Sequence, residues 1–250
     1  MVTVLTEVEF DLVWEQLDLA ERPYPLDVPS FGETFDERAQ LRAEVIANLT
    51  ANGGHDGRDL DPDLEAQLLM LARNEFSVDG LLAVGRNLRV LAAGTATRGV
   101  MAVQSGGKIR VGPVPRERLV DEVLGLVPEL EPGPGGQVSL PKSVFDHAVD
   151  AFASDGFAGL ELALNQGGVT GRDMRTIATL VRSPRHGGGQ LAANSLDRLG
   201  RRRRTGVLNW FDTAEGRYSS YSDGGGFLTF APADTARLGQ RLRELVSSVA

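Results

Sequence analysis

Apolar and polar positions along the chain fall into short alternating runs and longer stripes at helical spacing. Near the end, Gly206–Phe211, Arg217–Tyr221 and Phe227–Ala231 are brief runs rich in aromatic and β-branched residues, split by Asp212–Gly216 and by Gly224–Gly226. Bulky residues of that kind suit a pleated surface and Gly/Asp clusters interrupt it, so the stretch predicts an antiparallel meander. Pro232 then opens a final helix with Leu238, Leu242, Leu245 and Val246 on one stripe. The middle of the chain does the same. Leu88–Ala93, Gly99–Gln104 and Lys108–Val114 are strands parted by glycines, and Pro113 and Pro115 lead to a helix bearing Leu119, Val120, Val123, Leu124 and Val127. Strands, proline and amphipathic helix thus recur roughly 120 residues apart, which predicts two like halves sharing one sheet about a pseudo-two-fold axis. Coincidence of two meanders is the plainer alternative.

The rest of the pattern is mostly helical. Thr6 and Glu9 form a capping box ahead of Phe10, Val13, Trp14 and Leu17, one buried face, and Val2–Leu5 before it suits a strand. Arg22–Pro29 is extended, because a residue preceding proline is pushed out of the α region. A second helix from about Thr34 carries Leu41, Val45, Ile46 and Leu49 and stops at Asn52–Gly54. Asp61 caps a third, with Pro62 in its first turn and Leu64, Leu68 and Leu71 inward. Phe76, Val78, Gly80, Leu82 and Val84 alternate as a strand. Glu129–Gly136, with two prolines and three glycines, is the best linker between halves 1–128 and 137–250. Leu140–Phe152 reads as a helix, and Phe157, Leu160 and Leu164 as a short one closed by Gly167 and Gly168. Thr170 caps the next, with Met174, Ile177, Ala178 and Val181 on its stripe, before Gly187–Ser195 begins the second meander.

Composition narrows the classes. At 250 residues, 42% hydrophobic and 24% charged, this is an ordinary globular composition, and one or two domains are both allowed. No run of 18 apolar residues and no basic-then-apolar leader occurs, so neither a membrane span nor a signal peptide is expected, and a cytosolic protein is. Zero cysteines exclude disulfides, thiolate metal sites and a Cys nucleophile. The net charge of -8 argues against nucleic acid as a general partner. Arg201–Arg204 is the local exception; it reads as a turn between strands, either simply solvated or docking an acidic partner.

Chemistry is sparse. His55, His147 and His186 are far apart, with no i,i+4 pair and no carboxylate at ligand spacing, so no metal is expected. No phosphate-binding loop, nucleophile elbow or dinucleotide fingerprint is present, and Gly187–Gly189 reads as entry to a strand rather than an anion cradle. A Ser-His-Asp arrangement can assemble in space without leaving a motif. The residues alone therefore describe a non-catalytic α+β binding protein without cofactor. An enzyme with a dispersed active site, for instance a hydrolase, stands as the alternative. A nucleic-acid regulator using Arg201–Arg204 stands third. Trp210, Tyr218 and Tyr221 are candidate interface anchors, or else core residues.

Several of these segments resemble the EspG family of actinobacterial type VII (ESX) secretion chaperones: Leu5–Phe10 leading into the helix with Trp14, then Tyr24–Leu26, Asp212–Arg217, and Leu228–Pro232. The likeness covers nearly the whole chain and lies in the order and spacing of these segments. It implies one EspG-like domain over 1–250, α+β, with a twisted central antiparallel sheet, two helical bundles and a pseudo-two-fold axis. It also implies a non-enzymatic cytosolic role, binding the helical tip of the PPE protein in a PE–PPE heterodimer. The contact surface so implied is the central sheet, a loop matching Gly94–Gly99 with Thr95, Ala96, Thr97 and Arg98, and the C-terminal bundle. In that bundle the corner Gln166, Gly167, Gly168 and Thr170 is the expected contact.

Overall fold

A computed structural model describes residues 1–19, 21–197, 199–222 and 224–249. The chain opens with β1 (Thr3–Thr6), α1 (Glu7–Gln16), α2 (Phe35–Ala51) and α3 (Pro62–Ala72). Strands β2 (Phe76–Ala83), β3 (Asn87–Gly94), β4 (Gly99–Ser105) and β5 (Lys108–Val114) follow, then a single 3-10 turn and α4 (Leu119–Leu124). Next come β6 (Val138–Pro141), α5 (Lys142–Gln166), α6 (Gly171–Arg182), β7 (Gly187–Leu196) and β8 (Arg202–Arg204). β9 (Leu208–Thr213), β10 (Gly216–Ser222), β11 (Phe227–Pro232) and α7 (Thr235–Val249) close it.

Local chemistry explains the helix starts. At α1 the Glu9 carboxylate accepts the Thr6 N–H at 2.7 Å while the Thr6 hydroxyl accepts the Glu9 N–H at 3.2 Å. Thr34 and Glu37 do the same at α2, and Asp61 accepts the Asp63 and Leu64 N–H groups at α3. Each cap satisfies donors that the first helical turn leaves unpaired. Thr170 stands at the N-cap of α6, yet its side chain accepts no bond there.

Among the described residues, the strands form one antiparallel sheet in the order β1-β5-β4-β3-β2-β7-β9-β10-β11-β6, with β8 extending from β7. The chain order is the same outward from the central pair. β1, the helices α1–α3, the meander β2–β5 and α4 are matched by β6, α5–α6, β7 with β9–β11, and α7. Strand alternation divides the core by face. On one face α1–α3 cover Leu91, Ala93, Val100, Ala102 and Ile109, and further along it α5 and α6 cover Val138, Leu140, Tyr218 and Phe230. On the other, α4 and α7 pack on Val78, Val90, Leu191, Leu208 and Trp210.

Two local expectations change and one between them holds. The helix expected from Leu140 starts at Lys142, because Val138–Pro141 pairs as an edge strand with Phe227–Phe230 and buries Val138 and Leu140. The short helix expected at Phe157 is present as the second part of α5, set off from the first by a non-helical Gly156 (φ 64, ψ -148), a conformation glycine adopts without a Cβ penalty. Arg202–Arg204 is a strand rather than a turn, held by the register Asn194↔Arg204 to Leu196↔Arg202. The 129–136 segment connects the halves but is strapped down. Gly133 N–H donates to the Arg217 carbonyl and Arg217 N–H to that of Glu131, both at 2.9 Å. The Tyr218 hydroxyl donates to the Pro134 carbonyl at 2.9 Å.

Candidate partner-binding surface

Between the two helical covers, a strip of the sheet lies open. The register pairs Ala83 with Asn87 and Gly188, Leu81 with Arg89 and Gln190, and Gln190 with Asn209, so all seven side chains or Cα positions point the same way. Together they line a depression of about 470 Å³. Its floor is mixed: Leu81 is half-buried, Ala83 and Gln190 are exposed, and Gly188 leaves backbone uncovered. A Cβ at Gly188 would stand 2.8 Å from the Trp210 carbonyl, so the close strand approach there requires glycine.

Further along the same face Arg204 reaches from β8 to the buried Asp79. Its two terminal nitrogens donate to the two carboxylate oxygens at 2.6 and 2.9 Å, and Asn194 donates to the same carboxylate at 2.7 Å. The Tyr24 ring lies 5.4 Å from this guanidinium. The hydrogen bond to Asp79 raises the Arg204 pKa, so this guanidinium stays charged. At the opposite end Arg185 sits 3.5 Å from the Phe211 ring centroid, and burial lowers its pKa. Neither guanidinium is a nucleophile or a base at neutral pH.

The buried Asp11 lies elsewhere, under the N-terminal bundle. Burial alone would raise its pKa, but the Arg38 hydrogen bond at 2.9 Å, the Phe31 N–H at 3.0 Å and the Arg38 and Arg22 charges outweigh that and lower it. It ties α1 to the 22–38 segment and carries no reactive geometry.

The expected contact residues divide. Ala96, Thr97 and Arg98 are exposed and Thr95 half-buried, in the loop joining β3 to β4. Gln166, Gly167, Gly168 and Thr170 are exposed at the α5–α6 corner, where Gly168 has φ +80 and a Cβ on Gly167 would strike Val144. The loop and the corner lie toward opposite sides of the sheet. Six strand spacings separate β4/β3 from β6, about 30 Å. Trp210, 2% exposed, and Tyr218, 4% exposed, take the core alternative, and Tyr221 is half-buried with Arg241 over its ring at 4.1 Å. Trp210 and, partly buried, Tyr221 pack in the core under α4 and α7, and Tyr218 packs in the core under α5 and α6.

The Asp212–Arg217 segment has a physical reason for its form. Arg217 is fully buried, bonded twice to Asp212 at 2.7 and 3.1 Å with the Trp210 ring 4.6 Å away, and the Thr213 hydroxyl closes the turn on the Gly216 carbonyl. With the sheet, the two helical covers and this hairpin in view, the sequence model of the EspG family matches residues 6–244. The chain belongs to the EspG family. Among solved structures, the Mycobacterium tuberculosis type VII secretion system chaperone EspG5, in complex with a PE25–PPE41 dimer, is similar to this EspG-family chain at TM-score 0.78. Identity is 17%, over 100% of this chain and 96% of that one. The likeness establishes the EspG5 fold for the whole length of the chain. A search of curated proteins finds no match.

Sequence reasoning does not single out Leu81, Gln190 and Asn209 on the open strip, or Arg86 and Arg185 at its end, and it weighs His186 only as a metal ligand. A polar residue on a strand reads as the solvent side of an ordinary amphipathic sheet. The signal available was the glycine run Gly187–Gly189, which marks backbone left bare.

Proposed function

We propose that this EspG-family chain is a cytoplasmic, non-enzymatic chaperone of a type VII (ESX) secretion system. It binds the helical tip of the PPE-type protein in a PE–PPE heterodimer, keeping that pair soluble and export-competent. The observation that carries the reading is family membership over residues 6–244 together with a full-length fold match to a chaperone solved with a PE–PPE dimer. The open strip fits the task. It is a rigid sheet face with apolar and amide groups between two helical walls, and desolvating such a surface drives association. The groups with shifted pKa values at its two ends are arginines, one fixed on Asp79 and one stacked on Phe211, which favours binding over a dispersed active site.

The tip lies along this strip, with Thr95–Arg98 toward one side and the Gln166–Thr170 corner toward the other. Neither the loop nor the corner alone supplies a standard interface, which takes roughly 800 Å² from each partner. Co-expression of each PE–PPE pair of the chain's own genome, with and without this chain, tests the function. One pair should become soluble and run with it as a stoichiometric complex in size-exclusion chromatography. All pairs remaining insoluble or separate would overturn the proposal.

A further inference from the structure

The groove is charged at one end and neutral along its floor. Arg86 in the β2–β3 turn and Arg185 and His186 before β7 surround a depression of about 600 Å³, continuous with the floor through Ala83, Asn87 and Gly188. Neither arginine is ion-paired among the described residues. The carboxylates of adjoining elements are already engaged: Asp212 holds Arg217 at 2.7 Å and Asp27 holds Arg89 at 2.8 Å. Arg185 is oriented rather than free, its guanidinium laid over Phe211. Two arginines at one end without a carboxylate partner among the described residues, on a chain of net charge -8, are a local departure from the molecule's own electrostatics.

We propose that this end receives a carboxylate-bearing turn of the secreted partner, whose Asp or Glu side chain pairs with Arg185 and Arg86. The inference rests on the reading of the groove as the partner's seat and adds the partner's chemistry and direction. A planar guanidinium fixed on an aromatic ring binds a carboxylate with little further loss of freedom. Polyanions such as nucleic acid do not fit, because the remaining surface of an acidic protein repels them. A single carboxylate flanked by apolar side chains does, since Leu81, Ala83 and Phe211 border the charged end.

The test uses the full chain and, as probe, the PE–PPE pair that forms the stoichiometric complex. Wild type, Arg86→Gln/Arg185→Gln and the groove-blocking Gln190→Trp are compared by titration calorimetry, with thermal midpoints confirming that each is folded. Arg86→Gln alone, in an exposed turn, is the arm least able to disturb folding. The double neutralisation should weaken Kd at least about tenfold and slow association. Wild-type affinity should fall between about 50 mM and about 500 mM NaCl while that of the neutralised variant stays nearly flat. Replacing the partner's tip carboxylates by amides should weaken wild type and leave the neutralised variant unchanged. Unaltered affinity and salt response in the neutralised variant, with Gln190→Trp still losing binding, overturns this inference and leaves the groove reading standing. Normal binding by Gln190→Trp, or no complex with any pair, overturns both.

Discussion

At the scale of single residues, two buried carboxylates carry consequences that can be measured. Asp79 on the floor of the sheet is ion-paired with Arg204 and accepts a hydrogen bond from Asn194. Arg204→Ala removes the bidentate partner and leaves a buried charge, which should cost roughly 1–3 kcal/mol of stability in urea unfolding. Arg204→Ala combined with Asp79→Asn should recover part of that loss. Asp11 gives a pH dependence. Its folded pKa lies below the ordinary aspartate value of 3.8. The stabilisation is therefore complete above that value and is lost as pH falls below it toward Asp11's own pKa. Unfolding measured across that acid range should show the loss, and Asp11→Asn, less stable at neutral pH, should show a shallower one.

At the scale of elements, the α5–α6 corner separates backbone strain from contact. Gly168 has φ +80 with open space around it, so Gly168→Ala should destabilise by about 1 kcal/mol through strain alone. Gly167→Ala meets Val144 and should cost more. Gln166→Glu alters charge on an exposed side chain without either effect, so it tests contact cleanly: unchanged melting with weakened binding assigns the corner to the interface, and unchanged binding removes it. Much at this scale was legible beforehand. The capping box at Thr6, the helix start near Thr34 and the stripe Leu64, Leu68, Leu71 depend only on neighbours in sequence. β6 was not, because a four-residue strand ending in Pro141 has too few alternations to stand out before a long helix. Nor was the fate of Trp210 and Tyr218, since an aromatic on a strand packs inward or anchors a partner with the same pattern.

At the scale of the whole molecule, the repeated element order leads us to infer a pseudo-two-fold axis between β2 and β7 that relates the two halves. Eight residue pairs, Phe76↔Ser195 to Ala83↔Gly188, join those strands, and Arg243 of α7 pairs with Asp121 of α4 at 2.5 Å. Separate fragments 1–128 and 137–250 would expose that seam. Each expressed alone should be insoluble or unfolded by circular dichroism, while co-expression should restore a soluble pair; two independently folded fragments would contradict the shared sheet. The seam is also why the groove could not be read from sequence. Arg86 and Arg185 are about 100 residues apart and meet only through the β2–β7 register, which no local pattern specifies.

The central claim is that the partner lies on the open strip, and the absence of cysteine from the chain makes it directly testable. Gln190→Cys places one thiol on the groove floor, and Ser247→Cys places one on exposed α7 on the opposite face. Maleimide labelling rates of each would be compared for the free chain and for its complex with the PE–PPE pair. The account predicts strong protection of Cys at position 190 in the complex with no change at 247. Equal labelling at 190 in both states, or protection at 247 instead, would contradict it.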